Sequence, residues 1–207
     1  MSVVQPRHPR RGVAAENGPR PGELVGSASE TTHAAGSVRA RAATRAALAA
    51  FWWALAFTGL HAYWFAGGRI GFGDQADPLP GWPSSVGGWT FEVVVLVMFA
   101  AGLVVPLAFT RRWGLCCPRA LLLWLMRIGA AVLLARGGSG LVDDVLRFSG
   151  LVRGGLTGLS NQDVLGSAHP TTVTKLSTVA IDLVFVVGGV LFAGAARLGG
   201  SRAAAES

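Results

Sequence analysis

Apolar residues along this chain gather into four blocks, 46–67, 91–109, 120–135 and 178–196, separated by stretches rich in Gly, Pro and Arg. A helix needs about 20 apolar residues to cross a hydrocarbon core of roughly 30 Å. The first, second and fourth blocks meet that length, so the pattern predicts an all-α protein built as a four-transmembrane-helix bundle. The first block closes on Tyr63-Trp64-Phe65, an aromatic cluster suited to a membrane interface. In the second, Pro106 sits where it would kink the last turns, and Arg111, Arg112 and Trp113 anchor the end.

The third block is short and holds Arg127 near its middle. A central Arg costs roughly 2.5 to 3.5 kcal/mol on the insertion scale, and each Leu, Ile or Val returns about 0.3–0.6. The eight such residues between Leu121 and Leu134 roughly cancel that cost. The segment is therefore expected to insert as a hairpin with the second span, tied by 110–119, with Pro118 just before its start. Of the two outer connections, 67–90 reads as an irregular Gly/Pro/Trp loop. In 137–175, Leu141, Val142, Val145, Leu146 and Phe148 recur at helical spacing, opposite Asp143, Asp144 and Arg147. A short amphipathic helix on the outer leaflet explains that, and a plain extension of the third helix explains it almost as well. Gly137-Gly138-Ser139-Gly140 reads as a turn, and Ser160 with Asp163 as a capping box opening a short helical turn.

Composition narrows the class. Hydrophobic residues make up 51% of the 207 and charged residues 14%, against roughly 25% charged in a soluble domain. That excludes a typical soluble enzyme, a disordered chain and a disulfide scaffold. The net charge of +7 is distributed unevenly. Seven arginines precede the first block, three separate the second from the third, and two follow the fourth, twelve in all. The other two connections hold five basic residues: Arg69, Arg136, Arg147, Arg153 and Lys175. This is the positive-inside pattern of a plasma-membrane protein with both termini cytoplasmic. Nucleic acid is not the expected partner, since no aromatic residue interleaves the arginines. Residues 1–44 carry almost no large apolar side chain, so they are expected to form a disordered cytoplasmic tail, and 198–207 a short C-terminal one. The tail is too long and weakly patterned to be the n-region of a cleavable signal.

Ionisable residues inside spans are expensive and face the bundle interior, which makes each a candidate. Here they are His61, Arg127 and Asp182. At 1.5 Å per residue, His61 and Asp182 fall about 9 Å, and Arg127 about 13 Å, inside the outer ends of their blocks. Asp182 shares a face with Gly189 and Ala193, and Arg127 with Ala130 and Ala131, small residues that favour close helix contact. The expectation is an Arg127–Asp182 ion pair with His61 and Tyr63 nearby, either holding the bundle together or forming a polar pocket. His61 alone also reads as an ordinary hydrogen-bonded helix histidine. No catalytic set can be argued from spacing. No metal or cofactor is expected, because the histidines are unpaired and Cys116-Cys117 are adjacent rather than C-x-x-C. On the cytoplasmic side those thiols would stay reduced.

The first span ends His61-Ala62-Tyr63-Trp64-Phe65-Ala66-Gly67-Gly68-Arg69. This resembles the signature of an uncharacterised family of small bacterial four-helix membrane proteins, a domain of unknown function, in which His-x-Tyr-Trp-x-x-Gly-Gly-Arg closes the first helix. Weaker likeness runs through Met126-Arg127-Ile128-Gly129 and Val187-Gly188-Gly189. The family has Tyr-x-Pro ahead of its last helix where this chain has His169-Pro170. The resemblance therefore supports His61, Tyr63, Trp64, Gly67, Gly68 and Arg69, leaves Asp182 outside, and implies the fold without an activity.

The function expected is that of a non-enzymatic accessory, binding or transport unit, with the lipid bilayer and a second copy or a membrane subunit as partners. The alternative is a membrane enzyme acting on a lipid or quinone in a pocket lined by His61, Tyr63, Arg127 and Asp182. A cavity open to lipid and lined by those four groups would favour the enzyme. A closed, apolar-packed region would favour the accessory unit.

Overall fold

A computed structural model describes residues 21–73, 85–152 and 154–206, with side chains described from 36 to 200 within those bounds. The chain divides into two compact units, Met1–Ser37 and Val38–Ser207. In the first, the backbone is helical from Pro21 onward. The second carries the helix bundle.

The described residues are helical: α1 (Pro21–Phe65), α2 (Val86–Thr110), α3 (Arg119–Phe148), α4 (Asn161–Leu165) and α5 (Thr172–Glu206), with a 3₁₀ turn at Arg112–Cys116. Four of these helices are long and apolar enough to cross a membrane, over Gly36–Phe65, Val86–Thr110, Arg119–Phe148 and Thr172–Gly200. Large apolar side chains cover their surfaces, among them Trp52, Phe91, Val97, Trp124, Ile128 and Val190. In water such faces would drive association; against acyl chains they are ordinary.

Element boundaries differ from those the sequence predicts in an instructive direction, because every long helix begins before its apolar block and α2, α3 and α5 also run past its end. α1 is already helical through Val38–Arg45, where Ala and Arg, both good helix formers, replace the expected tail. Residues 1–20 of that tail lie outside the described residues. α2 starts at Val86 rather than 91, capped by Ser85, whose Oγ accepts the Gly88 N–H at 3.1 Å. It continues through the buried Pro106 to Thr110. α3 opens after Pro118 as expected, but Gly137-Gly138-Ser139-Gly140 forms no turn, and the helix runs unbroken to Phe148. The amphipathic stretch is thus an extension of α3 rather than a separate helix. A separate short helix, α4, is opened by the expected Ser160–Asp163 capping box.

The core forms where α1, α2, α3 and α5 meet. Ala47, Ala50 and Ala54 of α1 join Val105 and Ala108 of α2, Leu122, Met126 and Ala130 of α3, and Phe192, Ala195 and Ala196 of α5. Small side chains let the backbones approach closely, the usual basis of helix association where no water is available to drive it. Trp53 locks α1 to α5: its Nε1–H donates to the Val184 carbonyl at 3.2 Å, and its ring lies over Gly188, where a Cβ would clash.

α3 and α5 are antiparallel, and glycines report their register. Gly129 meets Phe192, Gly189 meets Leu134, Gly137 meets Phe185 and Val186, and Gly140 meets Asp182. On α3 the facing residues are Leu123, Met126, Ala130, Leu133, Gly137, Gly140, Asp144 and Arg147. They recur every three or four residues, a single heptad seam that changes from apolar to polar at Gly137. About 20 residues suffice to cross the hydrocarbon core. Counted from Arg119, the 30 residues of α3 leave about ten standing clear, and these include Asp143, Asp144 and Arg147.

Candidate functional site

Polar side chains concentrate at the second half of that seam. Asp182 projects from α5 and is almost completely covered, its side chain 4% exposed. Burying an ionised carboxylate is costly unless it is paired and hydrogen-bonded, and here the Arg136 Nη1 donates to Oδ1 at 2.8 Å. The Arg136 side chain remains 53% exposed and lies across the Phe185 ring, 5.0 Å from its centroid. Gly140 makes room for the carboxylate, since any Cβ there would overlap Oδ1 and Oδ2.

One turn further along α3 a second ion pair joins Arg147 to Asp143. It fastens a strap, residues 154–160, onto the helix. The Arg147 Nη1 donates to the Leu159 carbonyl at 3.0 Å and the Ser160 carbonyl at 3.2 Å, and the Leu156 N–H donates to Asp143. Beyond the strap, the Ser160 N–H and hydroxyl donate to Asp163 Oδ2 at 2.9 and 2.6 Å. Those donors hold the Asp163 carboxyl below the usual carboxylate range. Between the two ion pairs lies Asp144, 5% exposed, whose Oδ2 is buried without a hydrogen-bond partner.

The expected partner of Asp182, Arg127, is elsewhere. Its guanidinium lies 5.6 Å from the Trp124 ring centre, and a Cβ at Gly200 would be 3.8 Å from its Nη2. At 1.5 Å per residue, Gly200 is about 27 Å along α5 from Asp182. The Arg127–Asp182 pair is therefore corrected to Arg136–Asp182. Depth measured from the ends of the apolar blocks misleads here, because α3 continues to Phe148 and α5 begins at Thr172. Arg127 and Arg136 are also nine residues apart, about two and a half turns, which puts them on opposite flanks of the seam.

His61 occupies a step of the packed stripe on α1 formed by Ala47, Ala50, Ala54, Phe57 and Trp64. Its ring sits 4.3 Å from Phe57, 4.8 Å from Trp64 and 4.8 Å from Phe99, and its Nδ1 lies 3.0 Å from the Phe57 carbonyl oxygen, which requires that nitrogen to carry the hydrogen. Phe57 also meets Phe185, the ring under Arg136. His61 thus approaches the ion pair through two aromatic rings rather than by direct contact.

The rest of the motif ends α1. Gly67, at φ +90°, closes a Schellman turn: its N–H donates to the Trp64 carbonyl at 2.9 Å, and the Gly68 N–H to the Tyr63 carbonyl at 3.0 Å. The Tyr63 ring covers Gly68, its hydroxyl accepts the Arg69 N–H at 3.2 Å, and the Trp64 Nε1–H donates to the Ile70 carbonyl at 2.7 Å. Tyr63 and Trp64 therefore act locally, folding the chain back after the helix, and Arg69 contributes its backbone. Cys116 and Cys117 are free thiols in the α2–α3 connection. Two shallow, open depressions of about 300 and 480 Å³ lie along Val38–Arg45 of α1, lined by Ala40, Arg41, Thr44 and Arg45 and by Val38, Arg41, Ala42 and Arg45.

Sequence reasoning missed Arg136, Gly137, Gly140, Asp144 and Arg147 as site residues, though a signal existed. The 3-4 spacing that runs from Leu123 through Leu133 continues without a break through Gly137, Gly140, Asp144 and Arg147. Following spacing rather than hydrophobicity places all four on the buried face.

Among the described residues the fold is helical without strands, and its four helices long and apolar enough to cross a membrane support a membrane protein. Residues 54–155 match the model of the family described as Protein of unknown function (DUF3995), which is consistent with an uncharacterised family. No curated protein and no solved structure matches the chain.

Proposed function

We propose that this chain is a non-enzymatic, multi-pass protein of the plasma membrane, with both termini cytoplasmic, that works as an accessory or small binding unit assembled with a second copy or another membrane subunit. The observation that carries this reading is that Asp182, Asp143, His61 and Tyr63 are each engaged locally within the bundle and do not converge on one another. Asp182 is taken by Arg136, Asp143 by Arg147 and the strap, His61 by the Phe57 carbonyl, and the Tyr63 hydroxyl by the turn after α1. A reactive centre needs such groups converging on a shared space. His61, Tyr63, Arg127 and Asp182 are instead dispersed along the bundle, which removes the support for a lipid or quinone enzyme using those four. What the chain presents outward is apolar helix surface, suited to lipid and to other spans.

Two measurements test this. In intact cells, an impermeant maleimide is expected to label Thr157→Cys in a Cys116→Ser/Cys117→Ser background, and to reach the native Cys116 and Cys117 only after permeabilisation. The reverse pattern overturns the orientation. Crosslinking in intact membranes is expected to capture particles larger than the single 21.4 kDa chain. Recovery of that single chain alone overturns the assembly.

A further inference from the structure

Among the described residues, the charged cluster at the polar half of the α3–α5 seam does not balance. Three aspartates, Asp143, Asp144 and Asp182, share two arginines, Arg136 and Arg147. Both cations are committed: Arg136 to Asp182, and Arg147 to Asp143 and two strap carbonyls. The carboxylate left over is Asp144, and it is the one whose Oδ2 is buried without a partner. The charged groups around it are Asp143, Arg136 and Arg147 on its own helix and Asp182 on α5. An ionised carboxylate in that position would meet two like charges, while among the described residues the two cations near it are already engaged with other partners, and burial without full compensation favours the neutral form.

Something must supply the missing positive charge, and the geometry restricts what it is. Among the described residues no three His, Cys, Asp or Glu side chains converge as a metal ion would need. Oδ2 is also closed to contact from solvent, which disfavours a hydrated ligand. A proton fits. We propose that Asp144 is a proton-binding site inside the bundle, its carboxyl taking up a proton at mildly acidic pH, where an exposed aspartate stays ionised. Occupancy forms one O–H bond with a proton from the aqueous phase, and release returns that proton to it. The proposal goes beyond the accessory role and holds or fails independently of the orientation and assembly of the chain.

Proton occupancy makes the polar half of the seam responsive to pH. A group that holds a proton when folded, and has lost it when unfolded at the same pH, stabilises the fold below the folded-state titration. That contribution disappears as the pH rises through it. With the proton gone, Asp144 and Asp182 repel across the α3–α5 interface beneath the strap.

Infrared spectroscopy of the full chain in zwitterionic lipid vesicles tests this directly. At mildly acidic pH the protein is expected to show a protonated-carboxyl C=O band that shifts in D2O and disappears on going to alkaline pH. The band is absent in Asp144→Asn and unchanged in Asp163→Asn. Thermal stability is expected to fall as the band is lost in the native chain, and to be flat over the same range in Asp144→Asn. Should Asp144→Asn fail to accumulate, Asp143→Asn removes one neighbouring negative charge and is expected to move the loss of the band to lower pH. No band at mildly acidic pH in the native chain, a band that survives Asp144→Asn, an unmoved band in Asp143→Asn, or a band whose loss tracks sodium concentration instead of pH would each overturn the proposal.

Discussion

The two halves of the α3–α5 seam share one geometry and opposite chemistry. Over Leu122–Ala130 and Phe192–Ala196 the helices close through Met126, Ala130, Phe192, Ala195 and Ala196. Past Gly137 the same heptad spacing continues, but contact is made by glycine backbone and by the Arg136–Asp182 pair. In the apolar half side-chain volume fills the interface, so losing volume is the main hazard. In the polar half glycine clears space for a carboxylate, so gaining volume is the hazard, and an unpaired charge is the next one. One helix pair thus carries two rules of substitution.

The largest expected effect breaks the polar half by filling it. Gly140→Leu drives a side chain into the Asp182 carboxylate, where even a Cβ overlaps both oxygens. Asp182 has nowhere to go, being covered by α3 itself. We expect no folded protein to accumulate in membranes, read as loss of the monodisperse peak after detergent extraction. Gly140→Leu recovered at the native level would show that the register of α3 and α5 is not the one described.

The ion pair gives the next effect, and it is asymmetric. Removing one partner of a buried pair costs about 3–5 kcal/mol when the survivor stays buried. Arg136→Leu leaves Asp182, 4% exposed, without its cation, and is expected to cost about 4 kcal/mol. Asp182→Asn leaves Arg136, which is 53% exposed and free to turn to solvent, so about 1 kcal/mol is expected. The double variant should be more stable than Arg136→Leu alone, whereas Arg127→Leu should not rescue Asp182→Asn. Thermal unfolding in one detergent measures all of these. Equal losses from the two single changes would mean that Arg136 is no more exposed in the bilayer than its partner.

In the apolar half, Met126→Ala removes a fully buried side chain and is expected to cost about 3 kcal/mol, mostly as cavity. A larger loss there than at Arg136 would reverse the ranking of the two halves.

How much of the molecule is legible in its sequence depends on what hydrophobic blocks report. They mark where lipid touches the chain, so the four helices and the all-α class can be read directly. The Ser160–Asp163 box, a purely local hydrogen-bond pattern, can be read as well. Blocks do not mark where a helix ends. With α3 stopped at 135, the depths of Arg127 and Asp182 match by coincidence and Arg136 falls into a loop. Gly137-Gly138-Ser139-Gly140 encourages that error, because glycine marks turns in water, while between packed spans it marks close approach. Gly189 fits the second sense and does face Leu134. The same rule applied to Gly137 and Gly140 extends α3. The Arg136–Asp182 pairing itself depends on the register of two helices distant in sequence, which no local pattern contains.

The smallest effect separates the glycines that serve the seam from one that does not. Gly138 lies between Gly137 and Gly140 in sequence, yet a Cβ there meets nothing within 4 Å. It is helical and off the packed face, so its lack of a side chain confers no packing advantage. Glycine in a helix interior is less favourable than alanine by about 0.5–1 kcal/mol, because the unfolded chain gains backbone freedom. Gly138→Ala is therefore expected to stabilise the protein by about that amount, raising the unfolding temperature slightly while leaving the ion pair intact. Gly137→Ala, one residue earlier, places its Cβ against the Asp182 carbonyl, Phe185 and Val186, with separations of 2.6 to 2.9 Å, and is expected to destabilise. Opposite signs at adjacent positions arise only if α3 is a continuous helix whose seam passes through Gly137. If both changes destabilise alike, the stretch is held as a turn, and the polar half of the seam does not exist as described.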